Sequence, residues 1–153
     1  MQLLVFSDSH NHIAPMAAKV RSVKPDLILH LGDYASDARS LADTFPHIPL
    51  RAVRGNCDFG SRAPLLEEVL IADKRIVMAH GHRYEVKSDY GPLYHMGREA
   101  GADILLFGHT HIPHYEQVGA MHVLNPGSAG RRTLNGALIR IVDGAVHCEH
   151  ISL

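Results

Sequence analysis

Apolar runs that stop abruptly at glycine, aspartate or histidine recur along this chain, and they limit what it can fold into. Residues 104 to 107, Ile-Leu-Leu-Phe, run straight into Gly108-His109-Thr110-His111. A short apolar run bounded by glycine reads as a buried strand, and the turn beyond it carries two imidazoles. Residues 3 to 6 hand over in the same way to Ser7-Asp8-Ser9-His10. Residues 27 to 31 end in Gly32-Asp33, residues 50 to 53 in Arg54-Gly55-Asn56-Cys57-Asp58, and residues 75 to 79 in His80-Gly81-His82.

Between these runs the chain alternates. Residues 14 to 23 and 36 to 44 are alanine-rich and predict helices, the first stopped by Pro25, and residues 91 to 100 predict a third, closed by Gly101. The second half turns to hairpins. Residues 67 to 71 pair with 75 to 79, residues 115 to 118 with 121 to 124, and residues 137 to 142 with 145 to 151 across Asp143-Gly144. Asn125-Pro126-Gly127-Ser128 reads as a turn. Helices among buried strands, then hairpins, predict a layered α/β fold: two mixed sheets packed face to face with helices outside, an α/β/β/α sandwich.

No repeat or linker divides the chain, so its 153 residues are expected to form one domain, which at this size needs neither disulfide nor metal to fold. A metal here would serve chemistry. A net charge of −1 without a Lys/Arg block argues against an extended nucleic-acid surface or an anionic membrane. The N-terminus lacks a basic region, no apolar run is long enough to span a bilayer, and two cysteines fit a reducing compartment, so the expected location is cytoplasmic. The composition stands out in one respect, with 13 histidines against four phenylalanines and no tryptophan. Histidine is the commonest metal ligand.

In open α/β sheets, loops beyond the carboxyl ends of parallel strands converge on one crevice. The five polar loops would then meet, with two aspartates, one asparagine and at least four histidines. That set exceeds what one four-coordinate ion takes and suits two ions sharing a carboxylate. Two ions clamp both oxygens of an in-line phosphoryl displacement, and they supply positive charge that the sequence otherwise lacks.

Asp8-x-His10, Gly32-Asp33, Gly55-Asn56-x-Asp58, His80-Gly81-His82 and Gly108-His109-Thr110-His111, in this order, resemble the calcineurin-like metallophosphoesterase family. The short length and the Asn-Pro-Gly-Ser turn resemble its small bacterial and archaeal phosphodiesterase branch. The resemblance runs from Met1 to about Ser128. It implies that Asp8, His10 and His111 hold one divalent metal, that Asn56, His80 and His109 hold a second, and that Asp33 bridges them with the hydroxide that attacks phosphorus. Manganese is the first expectation for both ions, with iron, nickel or zinc as the others. Asn56 would also turn its amide NH₂ to a phosphate oxygen, and His82 sits where the family places a phosphate-facing group. The implied activity is hydrolysis of small phosphodiesters or nucleotide-type substrates.

Cys57 departs from the histidine that many members carry, which helps the leaving group depart; a thiol is a poorer proton donor. The same branch also resembles the retromer subunit of vacuolar sorting, an interaction scaffold, which is the alternative reading. A phosphomonoesterase ranks below the diesterase because no basic cluster is evident for a dianion. His30 reads as a core histidine, and Arg54 as phosphate-facing, solvated or ion-paired. His12, His47, His95, His114, His122, His147 and His150 read as surface. The hairpin-rich second half leaves an edge on which a second copy could pair.

Overall fold

A computed structural model describes residues 1–130 and 132–153. It contains ten strands and three helices among the described residues: β1 (Gln2–Phe6), α1 (Ile13–Val23), β2 (Leu27–His30), α2 (Ala35–Thr44), β3 (Leu50–Ala52), β4 (Leu66–Ile71), β5 (Lys74–Ala79), α3 (Gly91–Glu99), β6 (Ile104–Leu106), β7 (His114–Val118), β8 (Met121–Asn125), β9 (Asn135–Val142) and β10 (Ala145–Ser152). A single 3₁₀ turn, His82–Tyr84, follows β5 where the sequence suggested only loop.

The strands form two mixed five-stranded sheets, β10-β9-β1-β2-β3 and β4-β5-β6-β8-β7. Side-chain alternation along each strand explains how they stack. Leu3 and Val5 of β1 point inward, with Leu27 and Leu29 of β2, onto Ile76, Met78, Ile104 and Leu106 of the second sheet. Leu4 and Phe6 point outward onto Met16, Val20 and Leu41 of α1 and α2. Across the molecule, Val77, Leu105 and Phe107 face out toward Leu93 of α3. Strands buried on both faces read as unbroken apolar runs, which is why these segments stand out in the sequence. The expected α/β/β/α layering is therefore present.

The hairpins form where predicted. Both Ala72 and Asp73 (φ +48° and +60°), and both Asp143 and Gly144 (φ +50° and +79°), take the left-handed pair of angles that matches strand twist. In the first sheet β9 pairs antiparallel with β1, so the last hairpin extends the sheet built by the first three strands. The parallel sets β1-β2-β3 and β5-β6-β8 present their carboxyl ends with the loops that carry the polar residues. Among the described residues, no helix is long and apolar enough to cross a membrane.

Candidate metal centre

Six of the seven expected ligands gather into two trios. Donor atoms of Asp8, His10 and His111 lie within 4.8 Å of one another, and so do those of Asp33, His80 and His109. The trios adjoin: His80 Nε2 is 3.5 Å from Asp33 Oδ1 and 3.8 Å from Asp8 Oδ1, while His111 Nε2 is 3.1 Å from that same Asp8 oxygen.

The backbone bends to achieve this. Asp8, His10, Asp33, His109 and His111 all have positive φ, between +47° and +68°. Such angles are uncommon for residues with a Cβ, and where they cluster they mark sites that orient side chains at a cost in local stability. Two close backbone approaches hold the loops together. A Cβ on Gly55 would run into the Asp33 carboxylate, and one on Gly108 would run into the Ser7 side chain and meet Asp8 Oδ2 at 2.9 Å.

Hydrogen bonds then fix which atoms face the interior. Asp8 Oδ2 accepts from the Ser7 hydroxyl (2.5 Å) and the His109 N–H (3.1 Å), leaving Oδ1 without a hydrogen-bond partner. His80 Nδ1 donates to the Leu31 carbonyl at 2.7 Å, so Nε2 is turned into the centre, where it too is buried and unpartnered. Asp33 Oδ1 accepts from the Cys57 N–H at 2.8 Å. An unsatisfied buried polar atom costs about 1–3 kcal/mol. Two of them aimed at one space, in a set of carboxylates and imidazoles, fit divalent cations with mixed nitrogen and oxygen ligands.

Charge follows from the same contacts. Burial works against ionisation of Asp8, but His111 and His80 outweigh it and hold the carboxyl below its ordinary range. Asp33 is likewise held low against burial, by His80 and the Cys57 N–H. Burial works against charge on His80, and the two aspartates outweigh it, so its pKa is raised. His109 is pushed down to about 4 by burial and by the neighbouring His80, so its ring is neutral at pH 7.

A pH dependence with a definite sign follows. In the cation-free protein His80 contributes stability that is complete below pH 6.5, its unfolded value, and is lost as pH rises through its raised folded value. Asp8 and Asp33 contribute stability present above about pH 3.8 and lost as pH falls through their lowered folded values. A cation held by the Asp33, His80 and His109 trio would have to displace the His80 proton. Apparent Mn²⁺ affinity is therefore expected to rise with pH toward the raised His80 value, by up to about tenfold per unit for each proton released, as titration calorimetry in buffers of different ionisation enthalpy would show.

Asn56 and His82, the remaining expected residues, line one cleft of about 460 Å³ with Arg54, Phe59 and Arg83. Asn56 Nδ2 points toward Cys57 Sγ at 3.5 Å, and His82 packs its ring 5.4 Å from that of His80 with its Nδ1 buried and unpartnered. His30 is the core histidine expected: the Ser9 hydroxyl donates to Asp37 (2.7 Å), so His30 Nε2–H donates to Ser9 Oγ (3.1 Å) and Nδ1 accepts from Gly32 N–H. Arg54 is half-buried and donates to the Ser61 carbonyl (3.1 Å). His114 and His122 are half-buried and have ring partners that the surface reading did not include. His114 packs 4.9 Å from the Tyr90 ring, and His122 accepts or donates at 2.9 Å with the Tyr115 hydroxyl.

Several supporting residues escaped the sequence reading. Asn125 donates to the Gly108 carbonyl and to Thr110 Oγ1, and the Ser128 hydroxyl donates to the Asp8 carbonyl at 2.8 Å. The Asn-Pro-Gly-Ser turn was their only signal. Asp37, bound to Ser9 and to the Asn11 N–H, had none.

The sequence matches the calcineurin-like phosphoesterase superfamily domain over residues 1–143. The chain belongs to that superfamily. The match extends beyond Ser128 into β9, further than the motifs alone suggested. Among similar members, a probable metallophosphoesterase of Bacillus subtilis is 32% identical over 153 residues, covering 95% of this chain and 87% of that one. Vacuolar protein sorting-associated protein 29 of Schizosaccharomyces pombe is 33% identical over 138 residues, covering 84% and 72%. A phosphodiesterase of Escherichia coli is 37% identical over 86 residues, covering 50% and 42%. Calcineurin-like phosphoesterases thus include relatives of this chain that are named as enzymes and one named for sorting.

Proposed function

We propose that this chain is a metal-dependent phosphodiesterase acting on small phosphodiesters or nucleotide-type substrates. Asp8, His10 and His111 would hold one divalent cation and Asn56, His80 and His109 the other, with Asp33 contributing its carboxylate to the centre. The observation that carries this reading is the pair of buried, unpartnered donor atoms, Asp8 Oδ1 and His80 Nε2, turned into one space. When bound, two such cations supply positive charge for the phosphoryl oxygens and a hydroxide nucleophile near neutral pH. Manganese suits the mixed donor set, as iron, nickel and zinc do.

The protein's own residues do the rest. The Leu31 carbonyl fixes the His80 tautomer, and the low pKa of His109 keeps its ring free of a competing proton. Asn56 offers amide N–H groups to a phosphoryl oxygen, and His82 shares its cleft. The expected absence of a basic cluster needs correction, because Arg54 and Arg83, 29 positions apart, both line that cleft. Charge therefore does not disfavour a monoester, and the diester reading rests on the phosphodiesterase relative.

A pure scaffold would gain nothing from orphaned donors in its interior. Metal analysis, with hydrolysis of bis-p-nitrophenyl phosphate in Mn²⁺, separates the two roles: about two equivalents of metal and turnover support the enzyme, and neither supports the scaffold.

Cys57 stands near the scissile phosphate in this reading. Burial, with the neighbouring Asp33 and Asp58 carboxylates, pushes its thiol up to about 11, so it is neutral at pH 7 and a weak proton donor. Chemistry should then favour good leaving groups. Cys57→His is expected to raise kcat on an unactivated alkyl diester at least about tenfold relative to a nitrophenyl ester, toward the lower range of general-acid catalysis. Comparing the two substrates in parallel checks this, and an unchanged ratio counts against it.

A further inference from the structure

We infer that Arg54 and Arg83 form a subsite for a second phosphate, so that the preferred substrate is a phosphodiester carrying an anionic group beyond the one that is cleaved. The inference rests on the proposed phosphodiesterase and deepens it.

The 54–62 loop is tied down at several points: Asp58 accepts from the Gly55 N–H (2.8 Å) and the Ala35 N–H (2.7 Å), and Arg54 donates to the Ser61 carbonyl. Asp58 is the one carboxylate lining this cleft, and both its oxygens already accept backbone N–H groups. Opposite stands the 3₁₀ turn that begins at His82 and carries Arg83. Arginine–carboxylate pairs among the described residues are Arg51–Glu67, Arg75–Glu68 and Arg140–Glu149, so neither Arg54 nor Arg83 is neutralised by one.

Position gives the arginines their role. They share the cleft with Asn56 and His82, which face the phosphate in the proposed reaction. Phe59, 94% exposed, walls this cleft and also the neighbouring one of about 600 Å³, where Arg39 and Arg62 lie beside Tyr34 and Cys57. Two clefts lined by unpaired arginines thus flank the centre on one side. The scissile phosphodiester carries a single negative charge, which two cations more than balance. The guanidinium forks remain for a further phosphate, whose geometry they match in a bidentate way.

Equilibrium binding to the full chain in Mn²⁺ tests this without requiring turnover of a diester. The probes are adenosine 3′,5′-bisphosphate and adenosine 5′-monophosphate, titrated into wild type and Arg83→Gln. Arg83 is exposed, so its replacement leaves the fold unburdened. Wild type is expected to bind the bisphosphate at least about tenfold tighter, and Arg83→Gln to lose most of that preference. Equal affinity of wild type for both probes overturns the inference. So does an Arg83→Gln variant that keeps the preference, or one that weakens both probes alike. Failure to hydrolyse bis-p-nitrophenyl phosphate sinks the proposed activity instead, and is read independently of these affinities.

Discussion

Asp33→Asn is expected to lower turnover of bis-p-nitrophenyl phosphate by roughly 10³-fold, about 4 kcal/mol of transition-state stabilisation, with the fold retained. Asp33 is buried, stands at φ +56°, and places Oδ1 between the Cys57 N–H and His80. Asparagine tolerates that backbone angle, so the loop has no reason to rearrange. The loss is electrostatic. In the proposed centre the amide would bring no net charge to the cations, and one of its two ends would be a donor. Circular dichroism should superimpose on wild type while metal stoichiometry falls below two. A variant that retains two tightly held ions and full activity would remove Asp33 from the centre.

Thermal stability should respond as strongly to metal. Each ion supplied at about 100 times its dissociation constant adds about 2.7 kcal/mol to the folded state, and two add about 5 kcal/mol. For a chain of this size each kcal/mol moves Tm by about 2–4 °C, so Mn²⁺ is expected to raise Tm by about 10–20 °C over a chelator-treated sample. Asp8→Ala and His80→Ala should each abolish most of that rise. Each substitution also removes hydrogen bonds, from Ser7 and the His109 N–H to Asp8 or from His80 to the Leu31 carbonyl, so the chelated variants are expected to be less stable than chelated wild type and the comparison is the Mn²⁺-induced rise within each protein. A Tm unmoved by any divalent cation would contradict the proposed centre.

Much of this centre is legible in the sequence because its physical cause is local. A strand buried on both faces must be apolar throughout, so its end is visible where Phe107 gives way to Gly108 or Phe6 to Ser7. Left-handed turns favour residues such as Asp, Asn and His, which is the composition found after those ends. What the sequence hides is partnership across distance. Ser128 holds the Asp8 carbonyl from 120 positions away, and Asn125 holds the Gly108 loop from the end of a different strand. The Asn-Pro-Gly-Ser turn marks both residues, but nothing in it says what they hold. The partners of half-buried His114 are hidden for the same reason, since the rings that pack on it, Tyr90 and Phe107, come from the turn before α3 and the end of β6. Arg54 and Arg83 looked scattered because only the folded loops bring them together.

Each trio draws on both sheets: Asp8, His10 and Asp33 follow β1 and β2, whereas His80, His109 and His111 follow β5 and β6. The centre is thus a rivet through the sandwich, and its grip depends on the alignment of two plates that share no strand. Sub-ångström shear between those plates would spread the donors before it unravelled any helix. Repacking at Leu29 or Leu106, well inside the apolar interior, should accordingly register first as looser ion retention and only later as loss of structure.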